Sequence, residues 1–174
     1  LRKHIGSNID FYFYQNFYPA GDEYIIVYDV TGNLIPPGGI PLAVGCAVNN
    51  VETLINIARA VDGKAVTHTA LTVTGAVQTP LSAWVPVGVT VREVLELAGG
   101  ATVDEPAAIA GGAMMGKLVE DFDQPITKTS GGFIVVPSDH NLVKRRMLPE
   151  PTQVQIAQSA CDQCMQCTEF CPRY

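Results

Sequence analysis

Hydrophobic and polar positions divide the chain into segments of different period. Residues 9–17 (IDFYFYQNF) alternate and are rich in aromatic rings, which predicts a β-strand. Residues 18–32 (YPAGDEYIIVYDVTG) break at Pro-Ala-Gly and then place Asp22 and Glu23 ahead of an apolar run. Acidic side chains favour the positive end of a helix dipole, so a helix is predicted to start there and to stop at Gly32. Residues 33–45 (NLIPPGGIPLAVG) carry three prolines and three glycines and are expected to form an ordered loop without regular structure. In VETLINIARAV, which follows Asn49 and Asn50, Val51, Leu54, Ile55 and Ala58 recur at helical spacing, with Asn50 as candidate N-cap.

The middle of the chain changes period. Residues 67–77 (THTALTVTGAV) and 82–89 (SAWVPVGV) are β-branched and partly alternating, with Gln78, Thr79 and Pro80 at the turn between them. That pattern predicts a β-hairpin. Residues 90–100 (TVREVLELAGG) predict a helix with Thr90 as N-cap, Glu93 completing a capping box and Gly99 as stop. Strands are expected over 107–116 (AAIAGGAMMG), where the GGAMMG portion reads as a packed turn, and over 131–137 (GGFIVVP). Hairpin, helix and returning strands together predict a small mixed sheet of β-grasp type. Residues 140–151 turn polar and basic at Lys144, Arg145 and Arg146 and are punctuated by Pro149 and Pro151, which reads as a linker with a solvated basic face. PTQVQIAQSA then leads helically into a run of cysteines.

Composition narrows the classes. The 174 residues include 11 basic and 17 acidic side chains, a net charge of −6, and a length that allows one domain or two small ones. A 47% hydrophobic and 16% charged composition excludes wholesale disorder. The acidic balance argues against nucleic acid, whose phosphates need clustered Lys and Arg. The start LRKHIGSNID lacks the pattern of a signal peptide, and no apolar run approaches the ~18–20 residues of a membrane span. The chain is therefore expected to be soluble and to be a piece of something longer. His4, His68 and His140 are scattered without metal-ligand spacing, and no Ser/His/Asp or Cys/His constellation suggests hydrolysis.

Four of the five cysteines fall in the last fourteen residues. Cys161, Cys164, Cys167 and Cys171, followed by Pro172, read C-x2-C-x2-C-x3-C-P. The spacings are too tight to staple a loop-rich fold with disulfides, and structural zinc usually pairs two knuckles across a longer stretch. The run matches the bacterial ferredoxin pattern, whose soft, deprotonated thiolates suit a [4Fe–4S] cluster. In two-cluster ferredoxins the fourth cysteine of such a run serves the other cluster. Cys161, Cys164 and Cys167 would then supply three ligands, with the fourth expected from a segment outside this sequence. Cys46, in the apolar setting LAVGCAV, reads as a buried structural thiol.

Combined with these cysteines, YPAGDE (18–23), TGNLIPPGGIP (31–41), the Asn49–Leu54 segment NNVETL, GGAMMG (111–116) and PITKTSGGFIVVP (125–137) carry a resemblance. The chain resembles the NADH-binding flavoprotein subunits of respiratory complex I, and more nearly the C subunits of Rnf electron-transport complexes and the cobalamin reductases of propanediol-utilisation bodies. The resemblance covers essentially the whole chain. It implies an α+β architecture: a remnant of a Rossmann-like FMN and NADH domain (1–62), a soluble-ligand-binding β-grasp domain (63–139), and a linker with the start of a helical iron–sulfur region (140–174). It also implies electron transfer from NADH through FMN to [4Fe–4S] clusters and on to cobalamin, ferredoxin or quinone.

The implied partners are a redox protein or cobalamin-dependent enzyme, in a microcompartment or on the cytoplasmic face of a membrane complex of a bacterium. Carried over from the family's flavin-side motifs, Tyr18, Asp22, Glu23, Val48, Asn49, Asn50 and Thr53 are candidates for contacts to flavin and nicotinamide. Amide side chains offer both the donors and the acceptors that a flavin edge requires. Local structure offers competing roles: Asn50 as a helix cap, Asp22 and Glu23 as dipole partners, Tyr18 as core. The family's glycine-rich phosphate loop has no counterpart in this sequence, so this stretch alone is expected to hold FMN and NADH weakly and to be inactive by itself. The alternative is a β-grasp module that binds a ligand or partner, with a structural metal at the cysteines. A microcompartment adaptor is a third.

Overall fold

The structure, a computed structural model, describes residues 9–17, 19–169 and 171. It divides into two compact units, one from the described residues of 1–50 and 162–174, the other from 51–161.

In the first unit, helix α1 (Glu23–Thr31) starts and stops as its sequence predicts. The Asp22 side chain accepts a hydrogen bond from the Tyr24 N–H, and Gly32 ends the helix in the left-handed region at φ 74°, where a side chain would be strained. Tyr24 and Val27 bury one face of α1 against Ile35, and Val44, Cys46 and Val48 pack around them. The Tyr24 hydroxyl donates to the Gly39 carbonyl at 2.5 Å, fastening the Pro- and Gly-rich loop to the helix. That loop is not wholly irregular: Pro41–Val44 form one 3-10 turn, which Pro41 suits because its missing N–H is an orphan at a helix start. Residues 9–17 do not form the expected strand. The five strands of the described residues all lie between His68 and Pro137, so this segment has no ladder to join. Its alternation instead brings Phe11 over Phe13 (6.4 Å between ring centres) and Tyr12 against Tyr14 (5.0 Å).

The second unit is built on a five-stranded mixed sheet, making the chain α+β. Its order is β2 (Leu81–Pro86), β1 (His68–Gly75), β5 (Gly132–Pro137), β3 (Pro106–Ala110), β4 (Lys117–Leu118). The β1–β5 pair is parallel, and the other neighbours are antiparallel. Thr69, Leu71 and Val73 alternate inward from β1. Leu71 and Val73 meet helix α3 (Val91–Leu97), whose Val91, Val94 and Leu95 complete one core with Ala108, Phe133 and Val135. Both halves of the predicted capping box are present at its start. Gly75, at the end of β1, lies so close to β5 that a Cβ there would collide with the Val135 carbonyl oxygen.

Three expectations fail here for identifiable reasons. The strand begun at Pro106 ends at Ala110, because 111–116 turn the chain back into β4. The turn closes tightly at Gly116, but its methionines are not packed, for Met114 and Met115 both face solvent. Residues 140–151 are not a linker. His140 caps helix α4 (Asn141–Arg146), and α4 buries Val143 against Ile109 and Val136 on the sheet face opposite α3. Arg146 is half-buried rather than solvated, donating to the carbonyls of Gly116 (3.0 Å), Leu142 (3.0 Å) and Ala113. Helix α5 (Glu150–Ser159) then leads to the cysteines.

Helix α2 (Val51–Val61) forms as its period predicts, but its apolar residues Val51, Leu54 and Ile55 are exposed. It meets the sheet through polar groups instead: Glu52 on β1, and the Arg59 guanidinium 4.9 Å from the ring centre of Trp84 on β2. Among the described residues no helix is long and apolar enough to cross a membrane.

Candidate functional site

The flavin-side candidates fall on both sides of the division between the units. Asp22 and Glu23 sit together at the start of α1, and the Asp22 carboxylate is engaged with the Tyr24 N–H at 3.0 Å. Asn16, Phe17, Pro19, Ala20, Gly21 and Asp22 line a hollow of ≈ 540 Å³ beside this helix start. Tyr18 lies outside the described residues. Val48 is half-buried against the Tyr24–Val27–Ile35 cluster, while Asn49 and Asn50 are exposed just before α2. Thr53 is exposed on α2 itself, in the second unit. The hollow, and the exposed amides with their donors and acceptors, are compatible with a flavin edge.

A residue within the same motif was missed. One Glu52 carboxylate oxygen accepts from the Thr69 hydroxyl at 3.0 Å and from the Ala70 N–H at 3.2 Å. No spacing signals a contact across seventeen residues, so only the folded chain shows it.

The cysteine run is carried by the end of α5 and by helix α6 (Gln166–Glu169). Cys161 follows α5, its N–H donating to the Gln158 carbonyl, and Cys167 lies within α6. Cys171 donates its N–H to the Thr168 carbonyl at 3.3 Å. Between the cysteines, Gln163 (φ 54°) and Met165 (φ 63°) take the left-handed conformation, uncommon outside glycine. All four thiols are exposed, and none is in a disulfide. Cys46 is half-buried, with its thiol 3.8 Å from the Val44 carbonyl. Soft thiolates at this spacing fit an iron–sulfur cluster in donor chemistry. They are not gathered beforehand, since no three His, Cys, Asp or Glu among the described residues form a metal-holding group. Metal sites of this kind commonly take shape only as the metal binds.

The sheet unit carries a cleft of ≈ 340 Å³ whose lining includes Thr127, Thr129, Ser130, Gly111 and Gly131. The three hydroxyls already bond to one another, with Thr127 Oγ1 at 3.1 Å from Thr129 and 3.2 Å from Ser130. Nearby electrostatics are structural. Hydrogen bonds from the Thr90 N–H and hydroxyl hold the Glu93 carboxyl below its ordinary range, and the Arg92 guanidinium does the same for Asp123 at 2.8 Å.

Comparison with known proteins fits both units. Residues 2–59 match the family model of the Nuo51 FMN-binding domain, and residues 71–118 match that of the SLBB domain. The chain is 51% identical over 158 residues to the cobalamin reductase PduS of Salmonella typhimurium, covering 90% of this chain and 35% of that protein. It is 50% identical to the cobalamin reductase PduS of Citrobacter freundii over the same shares. It is 32% identical to the C subunit of the proton-translocating ferredoxin:NAD(+) oxidoreductase complex of Clostridium ljungdahlii, covering 90% of this chain and 32% of that protein. The chain thus spans about a third of the length of these relatives. With an FMN-domain match, an SLBB match and the cysteine run in one order along the sequence, the chain belongs to the family of NADH-binding flavoproteins and Rnf-type C subunits that includes the cobalamin reductases.

Proposed function

We propose that the chain is an electron-transfer segment of an NADH:acceptor oxidoreductase. Within it, residues 1–62 belong to a Rossmann-like FMN and NADH domain, 63–139 to a β-grasp domain, and 140–174, whose first helix folds back on the sheet, lead into the start of an iron–sulfur region. The sheet order β2-β1-β5-β3-β4, with a parallel central pair and a helix following the first hairpin, supports the β-grasp reading.

The observation that carries the function is the cysteine run: four exposed thiols, free of disulfides, at the spacing of a ferredoxin loop. Cys161, Cys164 and Cys167 would hold one [4Fe–4S] cluster, with Cys171 positioned in sequence to serve it or a second. FMN and the clusters, when bound, supply the conversion of a hydride into single electrons. The chain's own part is to bind and orient. Its thiolates must lose their protons to act as ligands, and Asn49, Asn50 and Thr53 offer polar groups to the flavin side. Asp22 and Glu23, at the start of α1, are the acidic groups proposed for that side, and Asp22 also caps the helix through the Tyr24 N–H.

The names of the relatives favour cobalamin or ferredoxin as acceptor, with quinone the remaining option. Partners would be a redox protein or a cobalamin-dependent enzyme, in the bacterial cytoplasm, inside a microcompartment or at a membrane complex. Anaerobic reconstitution of the full-length protein with iron and sulfide tests the reading. Iron and acid-labile sulfide in comparable amounts, with a visible band bleached by dithionite, are expected; a protein that takes up neither sinks it. A second reading, a β-grasp binding module with structural metal, is favoured by the hydroxyl-lined cleft. Zinc without sulfide in elemental analysis would select it.

A further inference from the structure

Three of the chain's four methionines and three other basic residues of its eleven lie near one side chain, Arg146. Its guanidinium donates to the carbonyls of Ala113 and Gly116, at either end of the Met114–Met115 pair. The turn is tightly closed at Gly116. A Cβ on Gly116 would lie 2.5 Å from the Gly112 carbonyl oxygen and 2.7 Å from that of Ala110. Both methionines of the turn face outward, Met114 at 74% and Met115 at 85% exposed, and Met147 beside Arg146 is 70% exposed. Lys117 follows the turn on β4, which α4 packs against, and α4 contributes exposed Lys144 and Arg145.

Charge sets this patch apart. Residues 111–118 and 140–149 contain no Asp or Glu among eighteen positions, in a chain whose net charge is −6. Methionine gives adaptable apolar contact, and Met and Arg are enriched at interfaces. We propose that the Met114–Met115 turn, with Lys117, Lys144, Arg145 and Met147, is a docking surface for an acidic protein partner that exchanges electrons with this chain. A cationic patch on an acidic body orients an acidic partner and repels it elsewhere. A lipid surface is the weaker occupant, because surface binding uses a long amphipathic helix with aromatic anchors, whereas these methionines sit on a tight turn.

The partner's role rests on the electron-transfer reading, whereas the surface itself does not. The test measures binding of a purified acidic ferredoxin to the full-length protein by interferometry at two ionic strengths. Binding that weakens with salt is expected, falling about tenfold further in Lys144→Glu/Arg145→Glu. It should also fall in Met114→Ser/Met115→Ser and hold in Lys64→Glu. Unchanged thermal midpoints establish that the variants are folded. No binding, equal binding by all variants, or patch-dependent binding only to phosphatidylserine vesicles overturns the proposal. Iron analysis of the same samples separates the two readings. Patch-dependent binding without iron sinks the cluster and leaves the surface, while iron without patch-dependent binding sinks the surface alone.

Discussion

The Glu52 carboxylate accepts the Thr69 hydroxyl at 3.0 Å, and Thr69 is the buried polar side chain of β1, only 1% exposed. The same oxygen takes the Ala70 N–H at 3.2 Å. Two residues along that edge, the Thr72 N–H donates to the Gly131 carbonyl just before β5. Glu52 thus continues the hydrogen bonding of β1 past the point where β5 begins. The first turn of α2, inside the motif that resembles a flavin-side segment, is fastened to the sheet by this carboxylate.

Replacing Glu52 with Ala leaves a buried hydroxyl and a strand N–H without this acceptor. A loss of about 1–3 kcal/mol is expected in urea denaturation. Glu52→Gln keeps an acceptor oxygen and should recover most of it. Equal losses for the two variants would show that the hydrogen bonds contribute little.

The two glycines of the 111–116 turn that lack a positive φ should behave oppositely. At Gly116 a Cβ would meet backbone oxygens at 2.5 and 2.7 Å, whereas at Gly112 nothing lies within 4 Å. Gly116→Ala should cost about 1–3 kcal/mol by overpacking, and Gly112→Ala should be near neutral. Thermal melts of both variants check the contrast.

Acid should weaken the sheet unit through Glu93 and Asp123. Both carboxyls are held below their ordinary range in the folded chain, Glu93 by the Thr90 N–H and Asp123 by Arg92. A carboxylate more acidic when folded stabilises the fold above its unfolded pKa, and that contribution is lost as pH falls through the folded value. Both groups are exposed, so the effect should be modest and smaller in high salt. Urea midpoints followed from about pH 7 down to about pH 2 should fall less steeply in Glu93→Gln and Asp123→Asn.

The cysteines should separate by role. Cys161→Ser, Cys164→Ser and Cys167→Ser should each reduce iron retention after reconstitution. Cys46→Ala, at a half-buried thiol packed near Tyr24 and Val27, should keep the iron and alter only stability. Iron loss in Cys46→Ala alone would place the ligand set elsewhere.

Local chemistry made much of this legible from the residues themselves. The Asp22 and Gly32 ends of α1, the capping box of Thr90 and Glu93, and the hairpin around Gln78 to Pro80 depend on neighbours a few positions away. The cysteine spacing is likewise a one-dimensional signal. Misjudged segments were those whose fate depends on distant partners. Residues 9–17 have the alternation of a strand but no ladder to join, and Lys144 to Arg146 have the look of a linker until Val143 finds Ile109 and Val136.

By itself, then, the sequence determined the caps, the periods, the family and the donor chemistry, because each is encoded within one turn or one short motif. Only the tertiary structure decided that Glu52 meets Thr69 and that Arg146 clamps a turn thirty residues earlier. Those contacts follow from which strands pair and where α4 lands. Pairing across a chain is selected by the packing of whole faces, a property no local pattern contains.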